Sequence, residues 1–494
     1  MTQSSYDEMP YATFAQRAAD PNRLAALGRL YGVEVPSPER ASIHEIGCGT
    51  GVNLIHIAER FPESRCVGVD ISERHILEGQ KLAIDSGVKN VELRCGDIQQ
   101  AAVGNGEFDF VICHGVYSWV SPHIQHQLLS VISSSLSDGG VAYVSYNVLP
   151  GWRQRGAIRD IMITGAQRQS ALTGSYEPTD RLSGAMELLS LVGSVRSRDG
   201  DLYGSYIKES LERFKDSHPS YLFHEYLEEY NSAVLFSDFM RLAELHGLQF
   251  VSEAKPSLMS TDDLGSDVRE YLSKLEGDII TQEQCLDVIR NRMFRETILC
   301  KGHHVLKRDL KASVFKSIHF VTDYRFVKES GRESVFREVV EGREVSTPKD
   351  EHSALLKLIG EAGYGGVAFS TLAARGAQVS PHLRDERALM HAIVRLWRAG
   401  FVDVTLHRAP ISNNPRGVGK VSRLARQQAI RGEGPIVALQ HRSCALSPIE
   451  RKLITLCDGE RDLDDIVSAS EVSDSEKEAR SALSRLIELG FFAE

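Results

Sequence analysis

The 494-residue sequence predicts an α/β fold built on parallel strands, with a helical insertion and small α+β modules behind it. Three observations carry that prediction. From 43 to 147, short β-branched runs alternate with amphipathic segments, the pattern of strand–helix–strand units whose crossovers build a parallel sheet. Between 165 and 240, apolar positions recur at helical spacing (Leu182, Met186, Leu189 and Val192, then Leu222, Tyr226, Leu227 and Tyr230), and no convincing strand interrupts them. Near the end, 388–401 and 482–492 rhyme with each other, each a helix closed by Gly and an aromatic residue.

In chain order, residues 1 to 40 read as an N-terminal helical cap, with Asp20 as helix cap, Pro21 at the first helical position and Gly32 beyond the last apolar residue. Tyr6 and Tyr11 lie upstream, where closing over a ligand and stapling the leader to the core fit equally well. The run His44-Glu45-Ile46-Gly47-Cys48-Gly49-Thr50-Gly51-Val52-Asn53 then leads into Leu54, Ile55, Ile57 and Ala58 on one helical face. Three glycines at alternate positions between a strand and a helix let the backbone pass close to a ligand and leave the helix N-terminus open to it. Their GxGxG spacing lacks the wider gap of the dinucleotide fingerprint. Glu45, where the strand ends, suits an ammonium or a network of hydroxyls better than a pyrophosphate. A second strand-like run, Cys66-Val67-Gly68-Val69-Asp70-Ile71, ends in an acid 19 residues beyond Gly51, from where a carboxylate can hold ribose hydroxyls.

These two segments resemble motifs I and II of the class I S-adenosylmethionine-dependent methyltransferases. Three further pieces follow in the expected order: Val91 to Ile98 as a third strand, Phe108 to His114 as a fourth, and Gly139 to Asn147 as a fifth. The resemblance implies a Rossmann-like core with S-adenosyl-L-methionine as cofactor. It assigns Glu45, Gly47, Gly49, Gly51, Asn53, Asp70, Ile71, Asp97, Ile98 and His114 to that cofactor, with Asp97 facing the adenine amino group.

The likeness narrows at His114-Gly115-Val116-Tyr117-Ser118-Trp119-Val120, at Ser145-Tyr146-Asn147-Val148-Leu149-Pro150-Gly151-Trp152 and at Asn53. Together they resemble the bacterial methyltransferases that carry a methyltransferase regulatory domain, and the likeness continues at 224–228, 236–253 and 291–295. Characterised members methylate lysines of surface proteins of Gram-negative bacteria. The resemblance therefore implies a protein substrate, such as an outer-membrane protein before export. Leu149 and Arg153 depart from the family pattern and leave the acceptor open, so small-molecule methylation and noncatalytic binding stand as alternatives.

Methyl transfer from a sulfonium is a direct displacement, so the protein aligns nucleophile, methyl and leaving sulfur and removes a proton. No Asn/Asp-Pro-Pro-Tyr/Phe motif follows the fourth strand, which weighs against a base or glutamine amide as acceptor, and no Pro-Cys nucleophile occurs there. Tyr117, Trp119 and Tyr146 offer aromatic walls for a methylated ammonium. Tyr117 and Tyr146, at the ends of adjacent strands, are the preferred active-site pair. His114 fits a buried turn, a cofactor contact or a general base, and Trp119 fits either the acceptor wall or the junction beside it.

The expected domains are 1–40, a cap; 41–165, the cofactor core; 166–305, a helical insertion and completion of the sheet; 306–410, a winged-helix-like module; and 411–494, a helix-rich module. The Phe294-to-Cys300 run is the expected hairpin partner of the strand at 247–251. The stretch 301–328 is locally basic, but Asp309 and Asp323 interrupt it, and it reads as a solvated strand face over 315–326. A net charge of -10 argues against nonspecific nucleic-acid binding. The opening residues lack a basic start followed by an apolar run, and no apolar stretch is long enough to span a bilayer, so a cytoplasmic protein without stable membrane insertion is expected. Eight cysteines form no CxxC pair, so reduced thiols and no metal site are expected.

Overall fold

The computed structural model describes residues 9, 13–99, 101, 106–196, 201–275, 277–310, 312–412, 418–432, 434–469 and 476–494. Tyr6 and Tyr11 lie outside the described residues.

Seven strands form the central sheet: β1 (Ser42–Ile46), β2 (Arg65–Asp70), β3 (Val91–Cys95), β4 (Phe108–Cys113), β5 (Leu136–Asn147), β6 (Leu248–Glu253) and β7 (Phe294–Lys301). Their order is β3-β2-β1-β4-β5-β7-β6. The first five pair in parallel, and β7 runs antiparallel to both neighbours. Burial on both faces explains why β4 reads as an apolar run broken only by Asp109. The helix Pro21–Leu30 forms where the punctuation placed it, with the Asp20 side chain accepting from the Asn22 backbone N–H.

After β5 come the helices Arg153–Thr173, Pro178–Val195, Leu202–Phe214 and Pro219–Leu227, packed around a core of their own that includes Met162, Leu189, Ile207 and Phe223. The sheet then resumes through the helix Phe236–Leu245 into β6. As expected, β7 returns beside β6, but it is also wedged against β5, with Tyr143 opposite Ile298 and Tyr146 opposite Arg295. A buried charge network pins this wedge. The fully buried Arg295 guanidinium bonds Glu253 on β6 and both Glu283 and Asp287 on the helix Ile279–Arg290, and Arg292 reaches Asp287 at 3.0 Å. Buried charges persist only when paired and hydrogen-bonded in this way.

The C-terminal third holds two winged-helix-like modules. In the first, β8 (His319–Val321) is central to a sheet with β12 (Val367–Ala368) and β13 (Asp403–Thr405), packed by the helices Glu351–Ala362, Phe369–Val379 and Glu386–Arg398. The strands β9 (Tyr324–Ser330), β10 (Glu333–Glu338) and β11 (Glu344–Pro348) form a meander beside it. In the second, β14 (Val418–Lys420) pairs with β17 (Asp458–Asp462) beside the helices Pro448–Leu456, Leu463–Ala469 and Glu476–Glu488. Between them β15 (Ile436–Ala438) and β16 (Arg442–Cys444) form a hairpin. The capping box read at Ser447 and Glu450 forms in both directions.

The expected continuous strand over 315–326 breaks in two. Phe315 ends a short helix and is buried edge-on against Trp397, and Thr322 bonds the Phe401 carbonyl where the chain turns from β8 into β9. Arg308 and Arg325, counted there as basic surface, donate to backbone carbonyls and lie over the rings of Tyr31 and Tyr364.

Candidate active site

The glycine loop leaves the end of β1 at the carboxyl edge of the sheet. Gly47, Gly49 and Gly51 all have left-handed backbones, with φ of +73°, +55° and +69°. A β-carbon at Gly47 would collide with Val116 and one at Gly49 with Thr13, so the loop needs glycine for space as well as conformation. Asp70 at the end of β2 braces the loop, its Oδ2 accepting from Gly49 N at 2.8 Å and its Oδ1 from Ser72 N at 2.9 Å.

A cavity of about 480 Å³ opens above this loop. Glu45, Gly47, Gly49, Asn53, Asp70, Ile71, Asp97, Ile98, His114 and Trp119 line it, so most of the residues singled out in the sequence meet at one place. Gly51 does not reach it, because it forms the N-cap of the helix Val52–Arg60 beneath. Ile71 is 62% exposed, an apolar rim on an otherwise buried strand end.

The carboxylate of Glu45 is 5% exposed. Its Oε1 accepts from Asn53 Nδ2 at 3.0 Å, and its Oε2 is buried with no partner. Burial pushes the Glu45 carboxyl up to about 8; the Asn53 bond opposes the shift and the charge of Asp70 adds to it. An orphaned buried carboxylate oxygen on the cavity wall calls for a cation or a proton.

His114 follows β4, the strand paired with β1. Its Nδ1 lies 3.0 Å from the Tyr143 hydroxyl, that hydroxyl donates to Glu296 Oε1 at 2.9 Å, and Glu296 Oε2 pairs with Lys255 Nζ at 2.9 Å. Burial raises Glu296, but Lys255, Tyr143 and His114 outweigh it, so the group sits below the ordinary carboxylate value. Because the single Tyr143 proton goes to that carboxylate, His114 Nδ1 must donate to the phenol oxygen. The Nε2 of this tautomer is a bare acceptor, and it has no partner among the described residues. Burial first, then Lys255, holds His114 down to about 4 against the pull of Glu296, so the ring is neutral at pH 7.

The structure corrects the placement of Tyr117 and Tyr146, which are each 1% exposed and do not line the cavity. Both rings pack on Phe239 of the helix that precedes β6, Tyr146 stacked at 4.0 Å and Tyr117 edge-on at 5.1 Å. The Tyr146 hydroxyl lies 2.9 Å from Thr297 Oγ1, which donates to Glu253 and so ties the tyrosine into the buried charge network. Of the three expected aromatic walls, Trp119 alone stands at the cavity.

Sequence reasoning missed Thr13, Phe14 and Gln16, a strap laid over the loop from the N-terminal side, and His75, whose buried Nε2 has no partner. It also missed Tyr143 and Glu296. His224 and Glu225 of the helical insertion also line the cavity; they were noticed as part of a family pattern but given no role. A second cavity of about 640 Å³ shares Phe14 and Gln16 with the first and has Lys255 and Glu296 in its wall. Among the described residues, Asp350, Glu351 and His352 make the one cluster of metal-ligand type, and the Asp350 carboxylate there caps a helix.

A sheet of this order with a glycine loop, a braced acid and a ligand-sized cavity at its carboxyl edge defines a class I methyltransferase. Comparison with known proteins agrees. The methyltransferase domain family matches residues 43–140, the predicted methyltransferase regulatory domain matches 218–301, and the PKMT C-terminal winged helix domain matches 420–482. An uncharacterised protein of Rickettsia prowazekii is 36% identical over 240 residues, covering 49% of this chain and 94% of its own length. A second from the same organism is 34% identical over 316 residues, 64% of this chain; the chain spans 56% of that relative's length. The structure of PKMT2 from Rickettsia typhi superposes with a TM-score of 0.86 at 25% identity, covering 98% of this chain and 100% of that one, and its complex with AdoHcy superposes with a TM-score of 0.85. The chain belongs to the class I S-adenosylmethionine-dependent methyltransferases that carry the methyltransferase regulatory domain. No described helix is long and apolar enough to cross a membrane.

Proposed function

We propose that this chain is a protein-lysine N-methyltransferase, acting in the cytoplasm on an outer-membrane protein before its export. The observation that carries this reading is the likeness to PKMT2 over nearly the whole chain, C-terminal modules included, where a shared donor site alone would extend only over the core.

The cavity fits S-adenosylmethionine on its own features. Glu45 Oε2 would take the ammonium of the amino-acid portion, and the glycine loop leaves room for the backbone to lie against the ligand. Asp70 has one lone pair left on each oxygen for the ribose hydroxyls. Asp97 and Ile98 would face the adenine, with Ile71 covering its exposed side. Bound there, the cofactor supplies an electrophilic methyl group on a sulfonium.

The chain's own task is to present a neutral amine. Trp119 would flank the acceptor's alkyl stem and face its cationic head. His114 Nε2 would accept a hydrogen bond from the neutral amine and turn its lone pair toward the methyl, with Tyr143 and Glu296 holding the ring in this tautomer, while the ammonium's proton would leave to solvent. His224 and Glu225, which line the cavity, would let the helical insertion take part in acceptor selection.

The test is transfer of labelled methyl from the donor to fractionated bacterial lysate by the purified chain. Label in a protein band, released by hydrolysis as methyllysine, supports the reading. Label in extractable metabolites points to a small-molecule acceptor, and no label at all points to a binding protein; either result refutes the proposal.

A further inference from the structure

One backbone donor sets the direction of a chain of hydrogen bonds that leaves the catalytic domain. The Gln16 N–H can only donate, and it bonds Asn53 Oδ1 at 3.1 Å. The Asn53 amide is therefore oriented with Oδ1 away from Glu45 and Nδ2 toward it. His441 Nε2 lies 2.8 Å from the same Oδ1, so that nitrogen carries a proton. Its Nδ1, 2.7 Å from His56 Nδ1, then accepts, and His56 donates. The remaining nitrogen of His56 is left bare, in keeping with a buried Nε2 that has no partner.

His441 belongs to the C-terminal module, 388 residues from Asn53 in the chain. It sits in the turn between β15 and β16, fully buried, with a left-handed backbone at φ +62° that a residue with a side chain rarely adopts. The turn is anchored from three sides: Gln440 bonds the Leu489 carbonyl, Arg442 reaches Asp323 at 2.8 Å, and Ser443 Oγ accepts from Ala15 N in the strap over the cavity. Burial holds His441 down to about 4 and His56 well below its ordinary value, beside the Asp20–Arg60 pair, so the proton order above holds at neutral pH.

We propose that His441 is a positioning residue of the cofactor site: by holding the Asn53 amide toward Glu45 Oε1, it keeps Glu45 Oε2 aimed at the ligand ammonium and links docking of the C-terminal module to donor binding. The module thereby becomes part of the donor site. The inference rests on cofactor binding and is independent of the acceptor.

The test uses the full chain and S-adenosylhomocysteine in calorimetry. His441→Asn tolerates the left-handed turn but is too short to reach Asn53, and it should weaken binding roughly tenfold, within the usual span of coupling between sites. The loss should fall mainly on donor KM, with kcat at saturating donor lowered by a smaller factor, and His441→Gln, which restores a donor, should recover part of it. In a Glu45→Gln background the same change should cost less than about twofold, since distant groups couple only through a shared partner. By reciprocity, S-adenosylhomocysteine should slow hydrogen exchange at the β15–β16 amides of the wild-type chain. Unaltered affinity in folded His441→Asn, an undiminished loss in the Glu45→Gln background, or hairpin amides indifferent to a ligand that the wild type binds would each overturn the link alone. If His441→Asn does not fold, the exchange measurement decides; a wild type that does not bind overturns the donor site and the link together.

Discussion

The sharpest test of the donor site is the charge of Glu45. Without a ligand, burial holds this carboxyl at about 8 against an ordinary 4.5, so it is largely protonated at pH 7. A ligand ammonium needs the ionised form, and binding must expel the proton, releasing roughly 0.9 proton at pH 7 before any proton uptake by the ligand amine. Affinity should therefore rise about tenfold per pH unit from 6 to 7 and flatten near 8, where the carboxyl is ionised and an α-amino group begins to lose its own proton. Calorimetry of S-adenosylhomocysteine in buffers of different ionisation enthalpy reads the released proton directly. Glu45→Gln should bind more weakly at pH 8 and lose the slope. The unliganded chain should behave oppositely in stability: with the folded value raised above the unfolded one, the contribution is fully present below about 4.5 and is lost as pH rises through 8. The ceiling is roughly 5 kcal/mol. A wild-type affinity flat from pH 6 to 8, with no buffer-dependent heat, would refute the assignment of Glu45 to the ammonium.

Four further outcomes are expected. His114→Gln should lower kcat about 10²-fold or more with little change in donor affinity, and Tyr143→Phe should lower it less while altering the pH profile, both read in steady-state assays at saturating donor. Tyr146→Phe should leave turnover near wild type and cost about 1 kcal/mol of stability in denaturant unfolding, the value of one hydrogen bond; a large loss of turnover would restore the tyrosine to the reacting centre. Arg295→Leu should destabilise the chain by about 3–5 kcal/mol, because Glu253, Glu283 and Asp287 would be left buried without their cation.

The glycine loop and its bracing acid were legible in the sequence because their demands are local. A left-handed backbone crowded by Val116 and Thr13 admits only glycine, and an acid ending a strand announces itself by position. The placement of Tyr117 and Tyr146 at the cavity was misread, for Tyr146 for a reason equally physical. Strand-end placement located β5 correctly, but side chains alternate between the two faces of a sheet. Tyr143 and Tyr146, an odd number of positions apart, point to opposite faces; Tyr143 meets His114 and Tyr146 meets Phe239. Which face opens depends on where the helix Phe236–Leu245 packs, some ninety residues later. The strap at Thr13 and the His441 contact carry no local signal at all, since each is defined only when distant segments meet.

The segment matched by the regulatory-domain family, 218–301, contains both β6 and β7. It cannot be an appendage to a finished catalytic body. Without it β5 would be the sheet edge, with an unpaired row of backbone groups, Tyr146 would lose Thr297, and His114 would lose the carboxylate behind Tyr143. The same segment supplies His224 and Glu225 to the lining of the cavity. The segment thus reaches the sheet through β7 and the cavity through the helix Pro219–Leu227. Glu296 lies on β7 and touches Tyr143 and Lys255 at once, so even a small slip of that strand would reach the imidazole before it reached the cofactor loop. Donor affinity and turnover should then respond separately, the first to the C-terminal module through Asn53 and the second to β7 through Tyr143.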